Sequence, residues 1–237
     1  MHEKIITTIQ DILKPKKPLV AVKAWKDIPE NIPPYEDKAF PGTCTQIGEV
    51  IETGKTFYVQ TKNVYCTGGV IATGILKPLS EEQTRKVVEM HLSMTKDYVD
   101  IDTAMKIRKE VSKDIPAPKE TNKALQIGLL KDIEDPDVVL LFCNSKTADI
   151  LSRAYTYRSG ELIKGFGSIG GCNVTIQYPF TVKKPVFTYS DVAWRKFTKM
   201  SDDELTMSFP YDCLVQAVED LPLIADHYEH YAEGMDV

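Results

Sequence analysis

The sequence predicts a mixed α/β fold: a single domain over residues 1–237 in which helices cover a mixed sheet. Three observations carry that expectation. "ALQIGLL" and "PDVVLLFC" are short valine- and leucine-rich runs of the kind that fill buried strands. "NSKTADILSRAYTYRSG" follows them at once as a helix, capped by Asn144 or Ser145 and stopped by Gly160. No internal repeat or low-complexity tract divides the chain, and 43% apolar residues over 237 positions are enough to close a substantial core.

The remaining elements follow in order. Ile5, Ile6, Ile9, Ile12 and Leu13 share one face of a first helix, which Pro15 and Pro18 bring to an end. "PLVAVKAW" reads as a strand with Lys23 near its end, and the proline-rich segment 26–41 reads as a loop. A helix begins near Thr43 in "GTCTQIGEVIETGK". Ile47, Val50 and Ile51 make its apolar stripe and Gly54 its stop, which places Cys44 in the first turn, where the helix dipole favours a thiolate. "TFYVQT" is a strand, and in "NVYCTGGVIATG" a short helix follows Cys66. Ser80 and Gln83 form a capping-box pattern ahead of an amphipathic helix reaching about Lys96, and a further helix covers about 101–113. In the last third "ELIKGF" is a brief extended piece. The β-branched, aromatic run "NVTIQYPF" reads as a strand, as do 185–189 and "LTMSF", with helices near 191–199 and from about Tyr211.

Composition excludes several functions. A formal net charge of −5 without a long basic run argues against nucleic acid or anionic membrane as a partner and leaves a small anionic ligand or a redox partner protein. No stretch approaches the ~20 apolar residues of a membrane span, so the start reads as soluble and unprocessed. Five cysteines, Cys44, Cys66, Cys143, Cys172 and Cys213, stand at long intervals with an odd total, which suits reduced thiols in the cytoplasm. Homo-oligomerisation stays open.

"GFGSIGGCNVTIQYPF" contains Gly165, Gly167 and Gly170 in G-x-G-x-x-G spacing, but a dinucleotide fingerprint needs a buried strand before it and a helix after it. The strand-like run downstream denies it the second, and an acid near Asp191 or Asp202 is expected by chance in so charged a chain. The glycines have another use. Gly167, Gly170 and Gly171 strip side chains from the backbone beside Cys172, so that a bulky ligand can approach and receive amide hydrogen bonds.

Several stretches together resemble a known family: "PLVAVKAW", "GTCTQIGEVIETGK", "YCTGGVIATGILKP", "PDVVLLFCNSKTADILSRAYTYRSG", "GGCNVTIQYPF" and "RKFTKMSDDELTMSFP". Their order and spacing are similar to the domain of unknown function family 169, the archaeal conserved region family common in methanogens and other anaerobes. The resemblance spans nearly the whole chain and supplies positions without a reaction. It implies that Cys44, Cys66 and Cys172 stand where relatives tend to carry cysteine and that Cys213 does not. Some relatives carry a cysteine shortly before the arginine matching Arg195, where this chain has Asp191. Cys143 stands where glycine is familiar, an optional fourth ligand at most.

Soft thiolates select iron–sulfur clusters or zinc, so Cys44, Cys66 and Cys172 are the candidate metal ligands. A fourth position is left to Cys143, Asp191 or an exogenous group, and the resemblance to an anaerobic family favours a 4Fe–4S cluster over zinc. Lys23 and Arg195 are the cations expected to face an anionic ligand or the cluster. The leading expectation is a cytoplasmic metal-centre protein of an anaerobe serving electron transfer or cofactor handling. A rival is an enzyme or carrier that holds an anionic organic cofactor in the pocket of Gly167, Gly170 and Gly171, with one cysteine as nucleophile. A third is an accessory protein whose thiols merely pack. No catalytic residue is assigned: there is no G-x-S-x-G, Walker loop or Ser, His, Asp set, and His227 and His230 read as a solvated helix end.

Overall fold

Seven strands form one sheet in the computed structural model, which describes residues 1–36, 42–167 and 171–231. They are β1 (Val20–Trp25), β2 (Phe57–Val59), β3 (Ala124–Leu129), β4 (Val138–Cys143), β5 (Lys164–Phe166), β6 (Val186–Thr188) and β7 (Leu205–Pro210), in spatial order β2-β3-β1-β4-β7-β6-β5. Every neighbouring pair is antiparallel except β5 and β6. The expected mixed sheet is present.

Side-chain alternation along β4 explains the layers. Val139, Leu141 and Cys143 point to one face, and Val138, Leu140 and Phe142 to the other. The first face is covered by α1 (His2–Leu13), α6 (Ser145–Ser159) and α9 (Tyr211–His230) through Ile5, Ile9, Leu151, Ala154, Leu214 and Leu221. The second is covered by α2 (Thr43–Thr53), with Ile47 and Val50, by Ile176, and by Trp194 of α8 (Val192–Phe197). Both faces of β4 are therefore buried, and a continuous apolar run replaces alternation in its sequence. Three further helices are α3 (Gly68–Ala72), α4 (Glu81–Met94) and α5 (Ile101–Asp114).

The local signals sit where the sequence puts them. Ser80 Oγ accepts from the Gln83 amide at 3.2 Å while Gln83 Oε1 accepts from the Ser80 amide at 2.9 Å, closing the capping box of α4. Asn144 caps α6 by accepting from the Thr147 amide, and Gly54 and Gly160 end α2 and α6 in the left-handed conformation at φ 68°. A buried pair, Lys17 with Glu204, ties the entry of β1 to the entry of β7. Burial pushes the Glu204 carboxyl up, but Lys17 and the Ser201 amide outweigh it and hold the group below its ordinary value.

One element differs from expectation. "NVTIQYPF" is helical: a π turn over Asn173–Gln177 runs straight into α7 (Tyr178–Val182). The Tyr178 amide bonds to the Asn173 carbonyl, five residues back, and the Thr175 hydroxyl donates to the Gly171 carbonyl at 2.6 Å. Val174, Thr175, Ile176, Gln177, Tyr178 and Pro179 are all buried, so the segment shows no amphipathic period and its β-branched residues imitate a strand. Pro179 stands in the first turn of α7, where its missing N–H costs least. A helix does follow the glycine loop, then, contrary to the ground on which the dinucleotide reading is set aside above.

Candidate functional site

Three glycines dock four chain segments against one another. A Cβ on Gly69, in α3, would lie 1.9 Å from Thr43 Oγ1, so only glycine lets α3 seat on the first residue of α2. On Gly48 it would lie 2.1 Å from the Phe197 carbonyl oxygen, which brings α8 onto α2. On Gly171 it would lie 2.7 Å from the Trp194 ring, which fixes the start of the π turn against α8. Cys44, Cys66 and Cys172 each neighbour one of these contacts in sequence. The docking that packs the layer also gathers the thiols.

The gathered sulfurs surround bare backbone. A Cβ on Gly68 would stand 3.6 Å from Cys172 Sγ and 3.7 Å from Cys66 Sγ, so those sulfurs are no farther apart than the sum of the two distances. A Cβ on Gly42 would stand 3.6 Å from Cys44 Sγ and 3.4 Å from Cys66 Cβ. Cys66 is exposed, and Cys44 and Cys172 are half-buried against the core.

Burial and mutual repulsion raise the pKa of two of the thiols. Burial, then Cys66 and Asp191, push the Cys44 thiol up to about 12. Burial pushes Cys172 well above its ordinary value, with Cys66, Cys44 and Asp191 adding to the rise and only Thr43 opposing it. The Thr43 hydroxyl is buried and, among the described residues, has no hydrogen-bond partner of good geometry. Without a cationic centre among them these two sulfurs stay protonated at neutral pH, since like charges so close cannot ionise together.

The other predicted residues have different places. Gly171 donates its amide to Asp191 Oδ2 at 2.5 Å, while Asp191 Oδ1 accepts from the Trp194 amide at 2.7 Å as the N-cap of α8. The protein's own carboxylate thus takes the amide a phosphate would need, and this, rather than the flanking strand, argues against a dinucleotide. The space beside Gly171 is filled by Trp194, Gly167 is exposed with open space at its Cβ position, and Gly170 lies outside the described residues. Lys23 shares the sheet face of Ala21, opposite to the cysteines, and donates to the Glu134 carbonyl at 2.7 Å while lying over the Trp25 ring. Arg195 donates to the carbonyls of Tyr189, Ser201 and Glu204, clamping the loops on either side of α8. Cys143 lies across the sheet with α1, α6 and α9, and Cys213, on α9, donates to the Lys183 carbonyl.

The cation beside the thiols is one that sequence reasoning missed. Arg108, on α5, is exposed; partial desolvation lowers its pKa, while Tyr98 and Cys66, within electrostatic range, act on it in the opposite sense. Nothing in the α5 sequence distinguishes Arg108 from the six other lysines, arginines and acids around it that face water. Among the described residues, no set of three or more His, Cys, Asp and Glu side chains stands close enough to enclose an ion as it is.

Fold and site together define a mixed α/β protein with three thiols gathered at a glycine-floored spot on one face of its sheet. The model of the DUF169 family, described as uncharacterised ArCR, matches residues 8–220, and the chain belongs to that family. No curated protein and no solved structure matches it. No described helix is long and apolar enough to cross a membrane.

Proposed function

We propose that Cys44, Cys66 and Cys172 hold a thiolate-ligated metal centre, an iron–sulfur cluster before zinc, and that the protein serves electron transfer or cofactor handling in the reducing cytoplasm of an anaerobe. The observation that carries this reading is the approach of three cysteines distant in sequence, with the sulfurs of Cys66 and Cys172 at the bare Cα of Gly68 and that of Cys44 beside Gly42, next to Cys66. A cradle that a Cβ would fill and an orphaned buried Thr43 hydroxyl beside Cys172 both fit a sulfur-ligated group, whose charge is softened by such donors. The donor set favours a cluster: structural zinc takes four protein ligands, and the common catalytic zinc sites include histidine. Here Cys143 is across the sheet, both oxygens of Asp191 hold amides, and among the described residues no histidine is one of the groups that act on Cys44 or Cys172. Ligation needs a rotation of the exposed Cys66 side chain towards the other two. When bound, the centre supplies one-electron chemistry or an open iron for a ligand; the chain's own residues position it and exclude water from its inner side.

Metal content in single variants tests the reading. After anaerobic purification Cys172→Ser retains a small fraction of the wild-type iron, and Cys213→Ser, which packs against the opposite face of the sheet, retains all of it. Equal iron in the two variants refutes the assignment.

A further inference from the structure

We infer that Cys66 and Cys172 form a site of reversible oxidation, at which a peroxide converts the two thiols of the metal-free chain to a disulfide and closes the cluster to metal. The inference names a regulation of the proposed centre and rests on that reading only for the closing to metal; the disulfide itself needs none.

The directions of the sulfurs single out this pair among the three cysteines. Both lie against one point of empty space: a Cβ on Gly68 would stand 3.6 Å from Cys172 Sγ and 3.7 Å from Cys66 Sγ, ordinary contact distances, so no side chain of residue 68 stands between them. Cys44 is placed differently. The corresponding point on Gly42 lies 3.6 Å from Cys44 Sγ but meets Cys66 by its Cβ, at 3.4 Å, with the Cys66 sulfur beyond 4 Å. Cys66 therefore carries its sulfur on the Cys172 side of its own Cβ, away from the glycine that Cys44 touches.

The two thiols also divide the roles such a reaction needs. Cys66 is exposed and stands in the bend ahead of α3, outside any helix or strand, so it meets a dissolved oxidant and can shift without breaking an element. Cys172 is half-buried at the helical start of the π turn, a fixed partner towards which Cys66 closes to the Cβ separation of about 4 Å that a disulfide requires. Cys143 and Cys213 pack on the other face of the sheet and do not compete.

The chemistry balances with a peroxide as oxidant. The Cys66 thiolate attacks one peroxide oxygen, the O–O bond breaks, and the hydroxide released takes up a proton as water, leaving a sulfenic acid on Cys66. The Cys172 sulfur, giving its proton to solvent, attacks that sulfur; the S–S bond forms as the S–O bond breaks, and a second hydroxide leaves and is protonated to water. Two thiols lose two electrons and one hydrogen peroxide becomes two waters. A dithiol reverses the step by exchange, becoming a disulfide itself. While the bond lasts, two of the three proposed ligands are withdrawn from metal.

The test uses hydrogen peroxide on the full-length chain, freed of metal by chelation under reducing conditions and checked for native circular dichroism. After stoichiometric peroxide and a maleimide quench, mass spectrometry of the digest is expected to show a Cys66–Cys172 linked peptide as the main product, two fewer free thiols, and full return of both with dithiothreitol. Cys44→Ser keeps the linkage. Cys172→Ser stops at a sulfenic acid on Cys66, trapped by dimedone, and in Cys66→Ser the Cys172 thiol stays reduced. A wild type that accumulates oxidised Cys66 without the linkage, a main linkage of Cys66 to Cys44 or to a second copy of the chain, or loss of the linkage in Cys44→Ser each overturns the inference. Bound iron is expected to slow the linkage about tenfold relative to the metal-free chain, because ligated sulfur is no longer a free nucleophile; equal rates overturn the closing to metal. A chain without iron that still forms the linkage refutes the metal centre alone, and an iron-loaded chain whose metal-free form never links refutes the disulfide alone.

Discussion

Glycine decides the chemistry at the residue scale, because the glycines around the thiols tolerate a methyl group differently. Gly171→Ala places a Cβ 2.7 Å from the buried Trp194 ring and is expected to cost about 1–3 kcal/mol, read as a lower denaturant midpoint at unchanged slope. Gly68→Ala places its Cβ at ordinary contact distance from two sulfurs, so the metal-free fold keeps the wild-type midpoint while the space a cluster needs is filled. Low iron with unchanged stability is the expected outcome for Gly68→Ala; full iron would show that this cradle is not the site. The thiols were legible in the sequence because cysteine beside glycine at element starts is a rare pattern. Arg108 was not, since its electrostatic reach to Cys66 is set by tertiary structure.

Asp191 shows how much an element's end can do at the next scale. Its carboxylate caps α8 and pins the Gly171 amide, so it orients the segment that carries Cys172 without acting as a ligand itself. Asp191→Ala is expected to lose about 1 kcal/mol as a lost N-cap and to lower iron modestly, whereas Asp191→Asn keeps one acceptor oxygen, most of the stability and the full iron content. Loss of iron in Asp191→Asn equal to that in Cys172→Ser would make the carboxylate a ligand after all. Caps, stops and the strand pair "ALQIGLL" and "PDVVLLFC" were readable from sequence, as their signals are local. The π turn and α7 were not: a helix buried on every side has no polar stripe, and its valine, threonine and isoleucine favour a strand until packing overrides them.

For the whole molecule, the thiol cluster links stability to pH. Cys44 and Cys172 hold their protons in the folded state to far higher pH than in the unfolded chain, where a thiol titrates near 9. Above that value the unfolded state binds fewer protons than the folded one, so stability falls as pH rises from about 9 towards 12 and is unaffected below. The metal-free protein should therefore melt at progressively lower temperature across that window, with a shallower fall in Cys44→Ala; a flat profile would mean that the thiols are not gathered and buried as described. The single sheet and its two helical layers were legible from the strand and helix runs, but the side of the sheet each cysteine occupies was not. Cys143 ends β4 on one face while Cys44 and Cys172 lie on the other, a consequence of strand parity that appears only once the register is known. The most direct measurement is iron, acid-labile sulfide and the visible spectrum of the wild-type chain purified without oxygen. Iron and sulfide in equal amounts under a broad charge-transfer band are predicted; a colourless protein free of both metal and sulfide, and unable to take them up on reconstitution, would contradict the account.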